Sequence, residues 1–366
     1  MPTADSSLLA ASLNVSTMQA AVYKGKGRVE VEPIPRPEIG RGEVLIRVES
    51  CGICPTDLKK IAYDLLPAPR VYGHETAGVV AAIGQGVTKY AIGDRVIVFH
   101  HIPCGECFYC SRHLYAQCPV YKKVGVTAGY EPAGGGFSQY VRVMDWIVER
   151  GMEKFPASVS FDQACFVEPV NTCLKGMALL AARADDTVAI LGQGPVGMIF
   201  TMLAARIGAN IVATDTYAAR RKLALEFGAH EVFDPRDAIF KPAVKKLTEG
   251  RGADVVIIAA SAKGIAEQAV AISRPGAKIL LFAQTSHQEL VEVSGADICM
   301  GERTLLGSYS ASVDLQKESA ELVFSGILPV ERLISHRLPL ADIGQGIEQA
   351  LHPGPESLKI IVKPHL

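Results

Sequence analysis

The chain carries almost no excess charge of either sign: 37 Lys and Arg against 38 Asp and Glu leave a net −1. That excludes a chain-wide basic field for nucleic acid, although a local patch survives such a sum. Glycine is plentiful but has no period of three, which excludes a collagen-like chain, and 49 % apolar residues against 20 % charged is too apolar for disorder. There is no internal repeat, heptad run or low-complexity segment. The longest uncharged stretch, 187–205, is broken by GQGPVG, which favours a buried strand, turn and helix over a membrane span. The N-terminal MPTADSSLLAASLNVSTMQ lacks a basic region followed by an apolar core, so no signal peptide is expected.

What is there suggests about two domains, at roughly 150 residues each, in a chain of 366. After a loose tail over 1–17, short β-type runs (QAAVYK, EVLIRVES, TAGVVAAIG, DRVIVFH) are punctuated by Gly and Pro, which predicts a β-barrel-like domain. From about Asp186 apolar strands (VAILG, IVATD, ADVVIIAA, KILLFA) alternate with helical patterns, which predicts a parallel sheet covered on both faces. The segment from about Leu315 reads as two helices and a closing strand, LKIIVKP.

In VAILGQGPVG, Gly192, Gly194 and Gly197 form GxGxxG between an apolar strand and a helix, and the next strand ends in Asp215. That context is the one a dinucleotide turn requires: a tight turn at Gly192, close approach of pyrophosphate at Gly194, close helix packing at Gly197, and free N–H groups at a helix start carrying Pro195 and Val196. A carboxylate at 215 accepts from ribose hydroxyls and repels a 2′-phosphate, so NAD is expected over NADP. Arg220 and Arg221 either soften that preference or form a solvated helix start. The alternative for the glycines is a plain strand-to-helix turn.

Nine cysteines, an odd number, fit a paired extracellular framework poorly and point to a reducing, cytoplasmic setting. Cys104, Cys107, Cys110 and Cys118 lie within CGECFYCSRHLYAQC, a spacing that closes a tetrahedral structural zinc site, with disulfides as the alternative.

Three further segments, CGICPTDLKK, YGHETAGVV and FVEPVNTC, together with GDRV, the cysteine lobe and the glycine turn, resemble the zinc-dependent medium-chain alcohol dehydrogenases from Met18 to Pro364. The Glu168–Pro169 pair resembles the sorbitol and polyol branch. The resemblance implies a Rossmann doubly wound parallel sheet with a GroES-like β-barrel catalytic domain. Its domains would be 18–172 (catalytic), 173–307 (NAD-binding) and 308–366 (a return completing the first), with the active site in the cleft. It implies two zinc ions per chain, one catalytic and one structural. Cys54 and His74 would hold the catalytic ion, with Glu168 binding directly or through water, and Glu75 a carboxylate that enters the shell in some members. Cys51 is no ligand in this reading, and the alternative for Cys51–Cys54 is a redox pair. Thr56 would take the alcohol proton and Asp57 would orient His74. A secondary alcohol or polyol would lose its hydride to NAD through a zinc-bound alkoxide, giving the ketone; the alternative is L-threonine or another amino or simple alcohol.

Backbone near Phe282, Ala283 and Gln284 and near Ser308 and Tyr309 would hold the nicotinamide. Lys359 either lies by the pyrophosphate or is a solvated lysine on a terminal strand. Lys59 stands where many relatives carry a relay histidine. His100 and His101 fall at the substrate pocket, with a solvent-facing or loop-capping role as the alternative; the other histidines, His287 and His365 among them, read as surface or loop residues. The resemblance also implies a dimer or tetramer joined near LLGSYS, a small-molecule substrate, and neither nucleic acid nor membrane as partner.

Overall fold

A computed structural model describes residues 16–130, 132–283 and 290–366 of the chain. Most of the expected tail lies outside these residues, and Thr17 already belongs to the first strand. The strands in chain order are β1 (Thr17–Gly25), β2 (Arg28–Pro35), β3 (Val44–Gly52), β4 (Arg70–Val71), β5 (Glu75–Ile83), β6 (Arg95–Val98), β7 (Val126–Thr127), β8 (Tyr140–Val143) and β9 (Met152–Lys154). There follow β10 (Thr187–Leu191), β11 (Asn210–Thr214), β12 (Glu231–Phe233), β13 (Ala253–Ile258), β14 (Ser273–Leu281), β15 (Thr304–Gly307), β16 (Ile334–Pro339) and β17 (Lys359–Lys363). The chain divides into two compact units. One comprises the residues up to Glu168 together with Gln316–Leu366, the other Pro169–Leu315.

In the first unit β1 pairs with β2 and β4, and a larger sheet runs β16-β17-β3-β5-β6-β9, with β7 and β8 attached to β3. All these pairings are antiparallel except β16 with β17. Strand β3 is the centre of the sheet: Gly52 lies opposite Glu75 of β5 on one side and Ile361 of β17 on the other. The return segment is fastened to β3 by Asp162, whose carboxylate accepts from Ser50 Oγ at 2.6 Å, from Lys363 Nζ at 2.7 Å and from Arg337 Nε at 2.7 Å.

The second unit is a six-stranded parallel sheet in the order β12-β11-β10-β13-β14-β15. All five residues of β10 are buried, as a central strand covered on both faces requires. The core on one face joins Ala189, Leu191, Val212, Val256, Ile258 and Ile279 to Phe240, Val244 and Ala269 of the covering helices. Among the described residues no helix is long and apolar enough to cross a membrane.

Candidate active site

Strand β3 ends at Gly52, and the chain turns at Ile53 and Cys54 into the helix Pro55–Ala62. Proline at the first helical position costs no hydrogen bond, because that N–H has no partner in any helix. Asp57, in the first turn, is fully buried. His74 arrives from Gly73, whose φ of +95° and close packing on Phe137 and Cys51 Sγ (2.8 and 2.9 Å from a hypothetical Cβ) leave room only for glycine.

His74 Nδ1 lies 3.1 Å from Asp57 Oδ1, so the carboxylate orients the ring and leaves Nε2 as the remaining donor. Ligand atoms of Cys54, His74 and Glu75 all lie within 4.8 Å of one another. Burial alone would lower the His74 pKa, yet Asp57 and Cys54 carry it well above its ordinary value. Asp57 itself is held below the carboxylate range by His74, against its own burial. A half-buried thiol, a buried imidazole and two buried carboxylates so arranged favour a cation among them, and sulfur, nitrogen and oxygen donors suit zinc.

The other residues expected here are spread around this trio. Glu168 opens the helix Val167–Leu180. It is not part of the compact group, but burial pushes its carboxyl up to about 7, and His74, Glu75 and Lys359 all act on it. Thr56 is exposed on the first turn after Cys54. Cys51 is wholly buried, 3.7 Å from Thr76 Oγ1, and burial raises its thiol well above the ordinary value, which is the environment of an inert sulfur rather than a redox pair.

The His100 ring is 4.8 Å from that of His74 and 4.0 Å from that of His101, which in turn stacks on Tyr121 at 4.9 Å. Burial lowers both histidines, His101 to about 4, so both are neutral imidazoles. Lys59 is lowered by burial as well. Lys359, expected by a pyrophosphate or in solvent, is buried rather than solvated, with its ammonium on Glu75. No local signal in the sequence could have joined these two residues.

The four-cysteine lobe folds round two short 3₁₀ turns, Cys110–Arg112 and Tyr115–Gln117. Its sulfurs are 3.6 Å apart for Cys107 and Cys110, 3.6 Å for Cys104 and Cys118, and 3.9 Å for Cys104 and Cys110. A disulfide needs about 2.0 Å. Four thiolates about 2.3 Å from a tetrahedral zinc are separated by about 3.8 Å. The lobe therefore fits the metal and not the disulfide alternative. The Cys104 N–H points at Cys118 Sγ, and with other backbone donors it brings that thiol down to about 6 against its burial.

In the second unit, Gly192 has φ +100°. A Cβ on Gly197 would stand 1.9 Å from the Gly192 carbonyl oxygen, whereas one on Gly194 would meet nothing within 4 Å. The turn thus packs its helix tightly at one glycine and leaves open room at another. The helix Pro195–Arg206 starts without a side-chain cap, so the N–H groups from Val196 onward meet no side-chain competition; Pro195, which has no N–H, only fixes the start of the helix. Asp215 follows β11, accepting from Gln193 N and Tyr217 N, each at 2.9 Å, with Arg220 Nη1 3.7 Å away. Each carboxylate oxygen retains a lone pair for a ribose hydroxyl.

Phe282 and Ala283 follow β14, both bonded to the Ile258 carbonyl; Gln284 and His287 lie outside the described residues. The Ser308 hydroxyl is buried with no partner among the described residues, and Tyr309 is exposed.

Two family models match the chain: "Alcohol dehydrogenase GroES-like domain" over residues 40–151 and "Zinc-binding dehydrogenase" over 195–325. Sorbitol dehydrogenase of Bacillus subtilis is 30 % identical over 354 residues, covering 95 % of this chain and 98 % of that protein. The chain belongs to the zinc-dependent alcohol dehydrogenase family. A (R,R)-butanediol dehydrogenase of Neisseria gonorrhoeae is also 30 % identical, over 95 % of this chain and all of that one. Among solved structures, a putative zinc-binding dehydrogenase of Sinorhizobium meliloti bound to NADP superposes with a TM-score of 0.85 at 29 % identity, covering 96 % of this dehydrogenase and all of that chain. The two units are accordingly the GroES-like and Rossmann-like parts of this family's fold.

Proposed function

We propose that this dehydrogenase oxidises a secondary alcohol or polyol to the ketone, with NAD as hydride acceptor and zinc at Cys54 and His74. The observation that carries the reading is the Cys54–His74–Glu75 group with His74 oriented by Asp57, in a chain whose relatives include sorbitol and butanediol dehydrogenases. Zinc, when bound, supplies Lewis acidity that makes an alcohol easier to deprotonate, and NAD supplies the hydride acceptor.

The chain's own residues do the rest. Cys54 and His74 anchor the metal, Asp57 fixes the ring, and Glu75 and Glu168 supply the neighbouring carboxylates. Thr56 Oγ1 accepts the substrate proton and passes it outward. His100, beside His74 and neutral, offers a hydrogen bond to a second hydroxyl, with His101 holding it from behind. Gly192, Gly194, Val196 and Gly197 admit the pyrophosphate, and Asp215 takes the adenosine ribose. Phe282, Ala283, Ser308 and Tyr309 provide the nicotinamide contacts. Cys104, Cys107, Cys110 and Cys118 hold a second, structural zinc. The protein works in the cytoplasm as a dimer or tetramer joined through β15, one of the two edge strands of its parallel sheet.

A panel of polyols, vicinal diols, threonine and simple alkanols, assayed with NAD and with NADP, tests this reading. Higher kcat/KM on polyols and vicinal diols with NAD supports it. Equal efficiency on simple alkanols removes the role given to His100, and preference for threonine replaces the substrate class.

A further inference from the structure

The helix Val167–Leu180 grips the segment that follows β15 at two points. Asn171 forms a double hydrogen bond with a single residue: its Nδ2 donates to the Ser312 carbonyl at 3.1 Å, and its Oδ1 accepts from the Ser312 N–H at 2.7 Å. One turn on, Lys175 Nζ donates to the Tyr309 carbonyl at 2.7 Å. Residues four apart share a helix face, so both grips come from one side. Asn171 is fully buried and Ser312 nearly so, which leaves little water to replace the amide. Burial lowers the Lys175 pKa, and the Tyr309 carbonyl is the partner that offsets the cost of burying the ammonium.

Between the two gripped residues lies Ser310, at φ +61°, the left-handed region that is unfavourable for a residue with a Cβ. Such a conformation persists where its surroundings hold it, and here both flanks are fastened. The same helix also touches the glycine turn, where Cys173 Sγ is 3.9 Å from the Val196 carbonyl. One helix thus meets both the pyrophosphate turn and the 308–312 segment. That segment presents Ser308, whose hydroxyl is buried without a partner among the described residues.

We propose that Asn171 and Lys175 are positioning residues that set 308–312 as the wall for the nicotinamide carboxamide. This depends on the reading of Ser308 and Tyr309 as nicotinamide contacts. A carboxamide carries both donors and an acceptor, so it is recognised by groups held at fixed places. A segment that had to become ordered on binding would lose affinity in doing so, and the two grips remove that cost in advance. Each residue acts through the backbone it holds. The adenosine half of the coenzyme, at Gly192–Gly197 and Asp215, depends on neither bond.

The test is the calorimetric affinity of the purified full chain for NADH and for ADP-ribose, which keeps the adenosine and pyrophosphate but lacks the nicotinamide. Asn171→Ala is expected to weaken NADH at least tenfold and ADP-ribose less than twofold. Asn171→Asp should match it, because an ionised carboxylate accepts from the Ser312 N–H but has nothing to donate to the carbonyl. Lys175→Met should weaken NADH at least threefold, again sparing ADP-ribose, and Lys175→Arg should retain the native affinity. A purely structural loss would weaken both ligands together, and that result in Asn171→Ala overturns the proposal. So does an NADH affinity unchanged within twofold. If Asn171→Ala fails to fold, Lys175→Met decides by the same two ligands. A native chain that binds ADP-ribose as tightly as NADH would instead overturn the nicotinamide reading, and this inference with it.

Discussion

Cys54 and His74 belong to one compact group of donors, and Asp57 fixes the His74 ring within it. Cys54→Ala removes a donor from the metal group and is expected to reduce turnover at least a thousandfold, while NAD binding, followed by nicotinamide fluorescence, stays within about threefold. Asp57→Asn keeps the shape but weakens the hold on His74, and second partners of this kind typically matter about 10–100-fold in metal affinity or activity. At the coenzyme site, Asp215 is pinned by two backbone N–H groups with Arg220 alongside. Asp215→Ser should shift the ratio of kcat/KM for NAD over NADP at least tenfold toward NADP, because it removes the charge that repels a 2′-phosphate. An unchanged ratio would show that the carboxylate does not face the ribose.

At the scale of elements, the glycine turn and the cysteine lobe were the most legible parts of the sequence, because each function sits in one short segment. Gly192, Gly194 and Gly197 could be read from spacing, and their packing explains why. Gly197→Ala would force a methyl onto the Gly192 carbonyl and should weaken NAD binding at least tenfold, about 1.4 kcal/mol, by calorimetry. The cysteine lobe has a small core, Cys110, Ala116, Cys118 and Tyr121, so its order depends on metal. Removing the structural zinc is expected to expose 104–118 to proteolysis. Other elements were illegible for physical reasons. Strand β12 has three half-buried residues and no alternation to detect. The helix Val167–Leu180, which carries Glu168, was read only as a motif, because Pro169 obscures a helix it in fact tolerates in the first turn. The pair Glu75 and Lys359 is 284 positions apart, and only the order β17-β3-β5 brings it together.

For the whole molecule, Asp162 and His365 tie the return segment to the first part of the chain. Asp162→Ala would strand Arg337 and Lys363 and is expected to cost about 1–3 kcal/mol in urea unfolding. His365, read from sequence as a surface or loop residue, lies in the closing turn and is half-buried, against Tyr140 and the Gln139 carbonyl, and burial lowers it to about 4. The unfolded chain then binds its proton near pH 6.5 and the folded chain only near pH 4. Stability from this group is complete above 6.5 and falls through that window, by at most about 1.4 kcal/mol per pH unit. His365→Gln should flatten that part of the acid limb, and an unchanged slope would place the ring in solvent.

The measurement that bears most directly on the central claim is zinc content taken together with turnover, for the native chain and for Cys54→Ala. The native chain should hold two zinc ions and reduce NAD with a vicinal diol or polyol; Cys54→Ala should hold one, keep its fold and lose turnover. A folded Cys54→Ala chain that holds one zinc and still oxidises the alcohol at the native rate would contradict it.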